Sequence, residues 1–286
     1  MEVQDQLKAI PSDEWVLLRD IYKRDWPRHQ LAYNTIQNYL NWNKIDPKIK
    51  QLLILGLNDS WQENGTCVIL DRYQMYVYTV DDSNDSLKRA LLLIDWDYSY
   101  KMCCIPMRYH PAFQEVFATL SIELLWDHPC VLYELSREDS RKLSLNIPNG
   151  LHTQRLTIRH AAFANEVWPH RCEGSEYFLK RLAAWNPSVG LFNDAGELRA
   201  WCFSWPNGAI GPLEVVKEHQ RKGYGSLMVR AIAREMANAA GLNCYGTAIT
   251  DNAQSRGMFE KLGFKLVDGG CFYARNRSRK LVEYDH

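Results

Sequence analysis

Gln220-Arg221-Lys222-Gly223-Tyr224-Gly225-Ser226 carries the most legible chemistry of this chain. It follows the apolar run Pro212-Leu213-Glu214-Val215-Val216 and precedes a helix-like stretch, Leu227–Ala240. Two glycines let a backbone turn tightly and approach a ligand, because neither has a Cβ. A helix that starts here directs free N–H groups and the positive end of its dipole back at the turn. That arrangement binds phosphates, and Arg221 and Lys222 add positive charge. The stretch therefore predicts a pyrophosphate-bearing ligand between a strand and a helix. A dinucleotide fingerprint needs a third glycine three residues after Gly225, where Met228 stands. The Gly-Lys-Ser/Thr order of a P-loop is absent. A glycine-rich turn without any ligand has the same composition.

A second pattern lies downstream. After an apolar strand, Asn243-Cys244-Tyr245-Gly246-Thr247-Ala248-Ile249, comes Asp251-Asn252-Ala253-Gln254-Ser255-Arg256-Gly257-Met258-Phe259-Glu260-Lys261-Leu262-Gly263-Phe264. Gln220, Gly223 and Gly225 fit Gln/Arg-x-x-Gly-x-Gly/Ala, and Asn252 to Phe264 fits Asn followed by an aromatic and Gly-Phe. Together, in this order, they resemble the acyl-CoA site of the GCN5-related N-acetyltransferases. Within that superfamily, residues 152–275 resemble the glycine N-acyltransferase-like, or FR47-like, branch. The likeness lies in His160 to Trp168, in Arg181 with Asn186 to Phe192, and in Gly196 and Trp201.

The resemblance implies a mixed, mostly antiparallel sheet flanked by helices, an α/β (α+β) fold. It implies acyl-CoA, acetyl-CoA or longer, as co-substrate without a metal, and a small-molecule amine as acceptor. The pyrophosphate falls to Gln220, Arg221, Lys222, Gly223, Tyr224, Gly225 and Ser226, and the pantetheine arm to backbone groups of Leu213, Glu214 and Val215. Asn252 either contacts the cofactor or caps the next helix, since Asn is a strong N-cap residue. The catalytic groups depart from the family. Its usual glutamate positions hold Ala209 and Thr247, and its usual tyrosine position holds Phe259. Glu214, Tyr245, His219 and Glu218 are available substitutes, and none is singled out by sequence as the base. His160 lies in a family-like stretch and is equally well a structural histidine. Three functions stay open: N-acyl transfer to a small amine such as an amino acid, acyl-CoA binding without turnover, and acetylation of a protein or peptide.

The elements that must position these residues follow from periodicity and turn chemistry. Helices are expected over 12–23 and 26–42, a strand at Leu52-Leu53-Ile54-Leu55, and a hairpin from 66–70 and 75–80 around Asp71-Arg72-Tyr73-Gln74. A helix near 86–95, a strand at 102–107, a helix from Pro111 and a strand at 130–135 complete the first half. Asn146-Ile147-Pro148-Asn149-Gly150 reads as a linker, dividing the chain into a degenerate α/β domain over 1–147, without a phosphate loop, and a catalytic domain over 148–286. The second half restarts with a strand at Arg155-Leu156-Thr157-Ile158, followed by helices after Ala161 and over Ser175–Trp185. Strands follow at 189–192 and 198–203, then the strand, loop and helix of the opening motif. Two short strands close the chain, at 264–267 and 271–273.

Bulk properties narrow the class. The chain has 286 residues, with 34 basic and 34 acidic side chains and a formal net charge of zero. No basic excess favours nucleic acid. No apolar run approaches the roughly 20 residues of a membrane span. The N-terminus, Met1-Glu2-Val3-Gln4-Asp5-Gln6, lacks the basic and apolar blocks of a signal peptide, and its acidity points to the cytoplasm rather than to mitochondria. The eight cysteines lack zinc spacing and lie mostly in apolar runs, which predicts buried free thiols.

Overall fold

The structure is a computed structural model, and it describes residues 4–280. Met1–Val3, the start of the N-terminal stretch compared with a signal peptide, lie outside the described residues. The described residues form two compact units, one comprising residues 4–131 and 269–280 and the other Leu132–Asp268.

The first unit runs β1 (Leu7–Ala9), α1 (Trp15–Ile21), α2 (Gln30–Ile45), β2 (Leu52–Leu57), α3 (Trp61–Asn64), β3 (Cys67–Asp71), β4 (Gln74–Tyr78), α4 (Asp85–Leu92), β5 (Lys101–Pro106), α5 (His110–Leu120) and the start of β6 (Leu124–Leu135). Its last strand is the C-terminal part of β12, defined below. Strands β1 to β4 form an antiparallel meander, β5 joins β4 in parallel, and β12 runs antiparallel to β5. The β3–β4 hairpin is buried along its whole length, because both of its faces are covered.

The second unit continues with the end of β6, α6 (Arg137–Lys142), β7 (Leu151–Gln154), α7 (Ile158–Val167), α8 (Ser175–Trp185), β8 (Ser188–Asn193), β9 (Leu198–Ser204), β10 (Ile210–Val215), α9 (Tyr224–Glu235), β11 (Cys244–Ile249), α10 (Ala253–Lys261) and the start of β12 (Lys265–Asn276). Strands β7 to β10 make an antiparallel sheet in the order β10-β9-β8-β7. Helix α9 packs on β8, β9 and β10. On the other face, Phe163 of α7 meets Trp201 of β9 edge-on, with ring centroids 5.7 Å apart.

Three expectations differ from what is observed. The strand of the second half is Leu151–Gln154, not 155–158. Thr157 and His160 form a capping box there, so Ile158 opens a helix. The division into units also runs differently from a cut at 147/148. The turn chemistry at 146–150 does mark an irregular connection. Strand pairing is nonlocal, however, and β6 and β12 each begin in one unit and end in the other. The two short closing strands are likewise one strand of 12 residues.

Candidate functional site

The site is built where β10 and β11 part. They run parallel and join at one bridge, between Ala209 and Tyr245, where the Tyr245 N–H donates to Gly208 O at 3.1 Å. Beyond it, β10 pairs with β9 while β11 neighbours β6. The two strands thus diverge toward their C-terminal ends, which lead into the glycine loop and into Asn252.

Backbone geometry follows from the register. Val216 N–H donates to Arg199 O at 2.9 Å. Hydrogen-bonded and non-hydrogen-bonded pairs alternate in an antiparallel ladder, so Glu214 bonds to Trp201, its register partner. Leu213 and Val215 occupy the intervening positions, and their N–H and C=O groups turn away from β9 toward the splay. Consistent with this, Val215 O accepts a hydrogen bond from Gln220 Nε2 at 3.3 Å. The register also shifts between Ile210 and Leu213, which reorients the strand beside the bridge.

The glycine loop sits at the mouth of the splay. A short 3-10 turn, Lys217–His219, leads into it. Arg221 has φ +61° and Gly223 φ +79°, so the chain reverses through left-handed residues. Gly223 is the N-cap of α9 and brings no capping side chain. The first N–H groups of α9, on Tyr224, Gly225 and Ser226, therefore have no side-chain acceptor. A Cβ on Gly223 would meet nothing within 4 Å, and one on Gly225 would meet only Val215 Cγ2 at 3.9 Å and Met258 Sδ at 4.0 Å. Internal packing does not demand the second glycine, and space is left in front of the helix end. Arg221 and Lys222 are exposed. His219 lies between Arg199 (Nη1 to Nε2, 2.8 Å) and Lys222 (Nζ to Nδ1, 3.5 Å). These residues fit a pyrophosphate: uncapped N–H groups, a helix dipole, two cations and room.

The remaining sequence candidates separate into roles. Asn252 caps α10, its Oδ1 accepting the Ser255 N–H at 3.0 Å. Ala209 is buried at the bridge. Phe259 lies under Gly246, where a Cβ would come within 2.3 Å of its ring, and it stacks on Tyr133 at 5.5 Å. It is a core side chain. Thr247 lies on β11, half-buried. Tyr245 is committed, its hydroxyl donating to Glu134 Oε1 at 2.8 Å, which also accepts Asn243 Nδ2 at 2.7 Å. Burial, and then the nearby Glu134 carboxylate, push the Tyr245 phenol well up, which makes it a poor proton donor. Glu218 is exposed on the turn. His160 is bound in its capping box, accepting the Thr157 N–H at 3.0 Å, and burial pushes its imidazole down.

Glu214 is different. Its side chain makes no hydrogen bond or ion pair among the described residues, and burial alone pushes its carboxyl from 4.5 up to about 7. Sequence reasoning noticed it as a polar residue in an apolar run. Glu134, which anchors Tyr245 and Asn243, was missed because it lies on a distant strand with no local motif.

Residues 188–273 match the family model of the FR47-like proteins. Residues 188–273 are thus similar to the FR47-like proteins, and the fold is that of the GCN5-related N-acetyltransferases (GNAT). Among solved structures, a Drosophila protein is similar with a TM-score of 0.87 and 21% identity, over 97% of this chain and 100% of that one. A tandem GNAT protein from the clavulanic acid biosynthesis pathway gives 0.56 and 11%, over 96% and 98%. A GCN5-related N-acetyltransferase from Sphaerobacter thermophilus gives 0.58 and 11%, over 97% and 96%. No curated protein matches in sequence. The GNAT fold thus extends through the chain, which has a second sheet-bearing unit in addition to the FR47-like one. Among the described residues, no group of three or more His, Cys, Asp or Glu could hold a metal ion, and no helix is long and apolar enough to cross a membrane.

Proposed function

We propose that this protein is an acyl-CoA-dependent N-acyltransferase that acylates a small primary amine by direct attack on the thioester. The observation that carries the reading is the splay of β10 from β11, with an uncapped helix N-terminus at its mouth. An extended pantetheine arm can complete the backbone groups of Leu213 and Val215, as a strand would. The N–H groups of Arg221 to Ser226 and the charges of Arg221 and Lys222 suit the pyrophosphate. Gln220 ties the loop to the strand, and Asn252 holds the start of α10.

Direct transfer needs no covalent acyl-enzyme. Among the described residues most thiols are buried, and burial raises Cys202 and Cys244, the nearest to the splay in sequence. A buried, protonated thiol is a poor nucleophile. The test is incubation with acetyl-, butyryl- or benzoyl-CoA and a panel of amines, with the N-acyl product read by mass spectrometry. No product from any pair would refute it.

A second reading is acyl-CoA binding without turnover. It is favoured by the absence of an ionisable side chain at Ala209 and Phe259. It predicts that CoA raises the melting temperature while no amide forms. Ligand at 100 times its Kd adds about 2.7 kcal/mol of stability.

A further inference from the structure

Glu214 and Trp201 sit directly across β10 and β9 from one another. Cross-strand partners project to the same face of a sheet. That face is not the one α9 covers: Val215, one residue on, points at Gly225 of α9, and successive side chains alternate. It is the face on which Phe163 packs against the Trp201 ring. Trp201 is completely buried, and its indole Nε1–H has no acceptor. Among the described residues, the Glu214 carboxylate likewise has no donor. A buried donor without an acceptor is rare in native interiors and calls for an explanation. Here its register partner across the strands is Glu214, whose side chain is also unmatched among the described residues, on a strand whose Leu213 and Val215 backbone groups turn into the splay. Arg199, the nearest cation along β9, is bound to Glu197 and His219 and leaves Glu214 unneutralised.

We propose that Glu214 is the general base of the transfer and that the Trp201 indole N–H positions the acceptor beside it; this rests on the N-acyltransferase reading above. The acceptor class follows from the pair: a primary amine with a hydrogen-bond-accepting oxygen a few bonds from its nitrogen. The amine arrives as an ammonium at the carboxylate, and its oxygen satisfies the indole. Glu214 removes one proton, directly or through one water. The freed nitrogen lone pair forms the N–C bond at the thioester carbonyl carbon. The tetrahedral intermediate then expels sulfur with the C–S electron pair. The second nitrogen proton passes to that thiolate, giving amide and free thiol, and Glu214 returns its proton to solvent. Ala209, without a carboxylate, has no part in this step.

The experiment has two arms. In the first, kcat and KM are measured for the wild type, Glu214→Gln, Glu214→Asp and Trp201→Phe with the best acyl-CoA and ethanolamine or glycine. Glu214→Gln lowers kcat by about 10²–10⁴-fold, with CoA binding unchanged by calorimetry, and Glu214→Asp recovers part of the loss. Trp201→Phe keeps the ring and removes the N–H, raising KM by about ten- to hundredfold with little change in kcat. In the second arm, the Trp201 indole resonance, assigned by its loss in Trp201→Phe, is followed by ¹H–¹⁵N NMR in the CoA complex. Glycine and ethanolamine move it; propylamine, which has no oxygen, does not. A Glu214→Gln enzyme with wild-type kcat removes the base while leaving the acyltransferase reading standing. A wild type with no turnover removes that reading and the base together, and the indole response then decides alone whether the acceptor pair exists. An indole signal unmoved by oxygen-bearing amines, or moved equally by propylamine, overturns the positioning role.

Discussion

Replacing Glu214 with glutamine should stabilise the protein above neutral pH and change little near pH 4. The carboxyl is half-buried and has no partner among the described residues, and burial alone raises its pKa from 4.5 to about 7. Below pH 4.5 the group is protonated in both folded and unfolded chains, so ionisation contributes nothing. Between 4.5 and 7 the unfolded chain ionises first, and stability is lost as pH rises. Above 7 both states are ionised and the full penalty remains. At about 1.4 kcal/mol per pH unit, the displacement corresponds to about 3.4 kcal/mol. The side chain keeps part of its surface in water, and screening lowers this to about 2 kcal/mol. Glutamine preserves the shape and has no charge to bury. Melting temperatures of the two proteins, recorded in one buffer series from pH 4 to 9, should coincide at the acid end. They should separate by about 4–8 °C at pH 8. A constant difference across the series would refute the claim that the carboxylate is desolvated. A glutamine variant less stable at pH 8 would mean that a cation pairs with Glu214. A glutamate held in an ion pair would give the opposite sign, a loss of stability on substitution.

Gly225→Ala should leave the melting temperature within about 2 °C of wild type, because the new methyl meets only ordinary contacts, yet weaken CoA binding at least about tenfold by calorimetry; equal affinity would remove the loop as a pyrophosphate site. Glu134→Ala leaves the Tyr245 hydroxyl and Asn243 amide without their shared acceptor and should cost about 1–3 kcal/mol in urea denaturation; an unchanged midpoint would show that water replaces the carboxylate without loss. Gly246→Ala drives a Cβ to 2.3 Å from the Phe259 ring and should cost about 1–3 kcal/mol or more; full stability would mean that α10 shifts freely.

The amino-acid sequence alone determined the local devices of this protein. Two glycines with a following helix, and Asn252 ahead of α10, are short-range patterns whose conformations are set by neighbouring residues. The capping box at Thr157 and His160 is equally local, and it opens a helix where a strand is expected at 155–158. Glu214 stood out as a charge in an apolar run. Only the tertiary structure decided what surrounds it. The pairing of Glu214 with Trp201, the single bridge from Ala209 to Tyr245, and the hold of Glu134 on Tyr245 join residues far apart in the chain. The division into units eluded the sequence for the same reason: turn chemistry shows where the chain bends, while strand pairing shows which sheet a strand completes. Burial is also a property of the assembled sheet, and it turns an ordinary glutamate into one that ionises near neutrality.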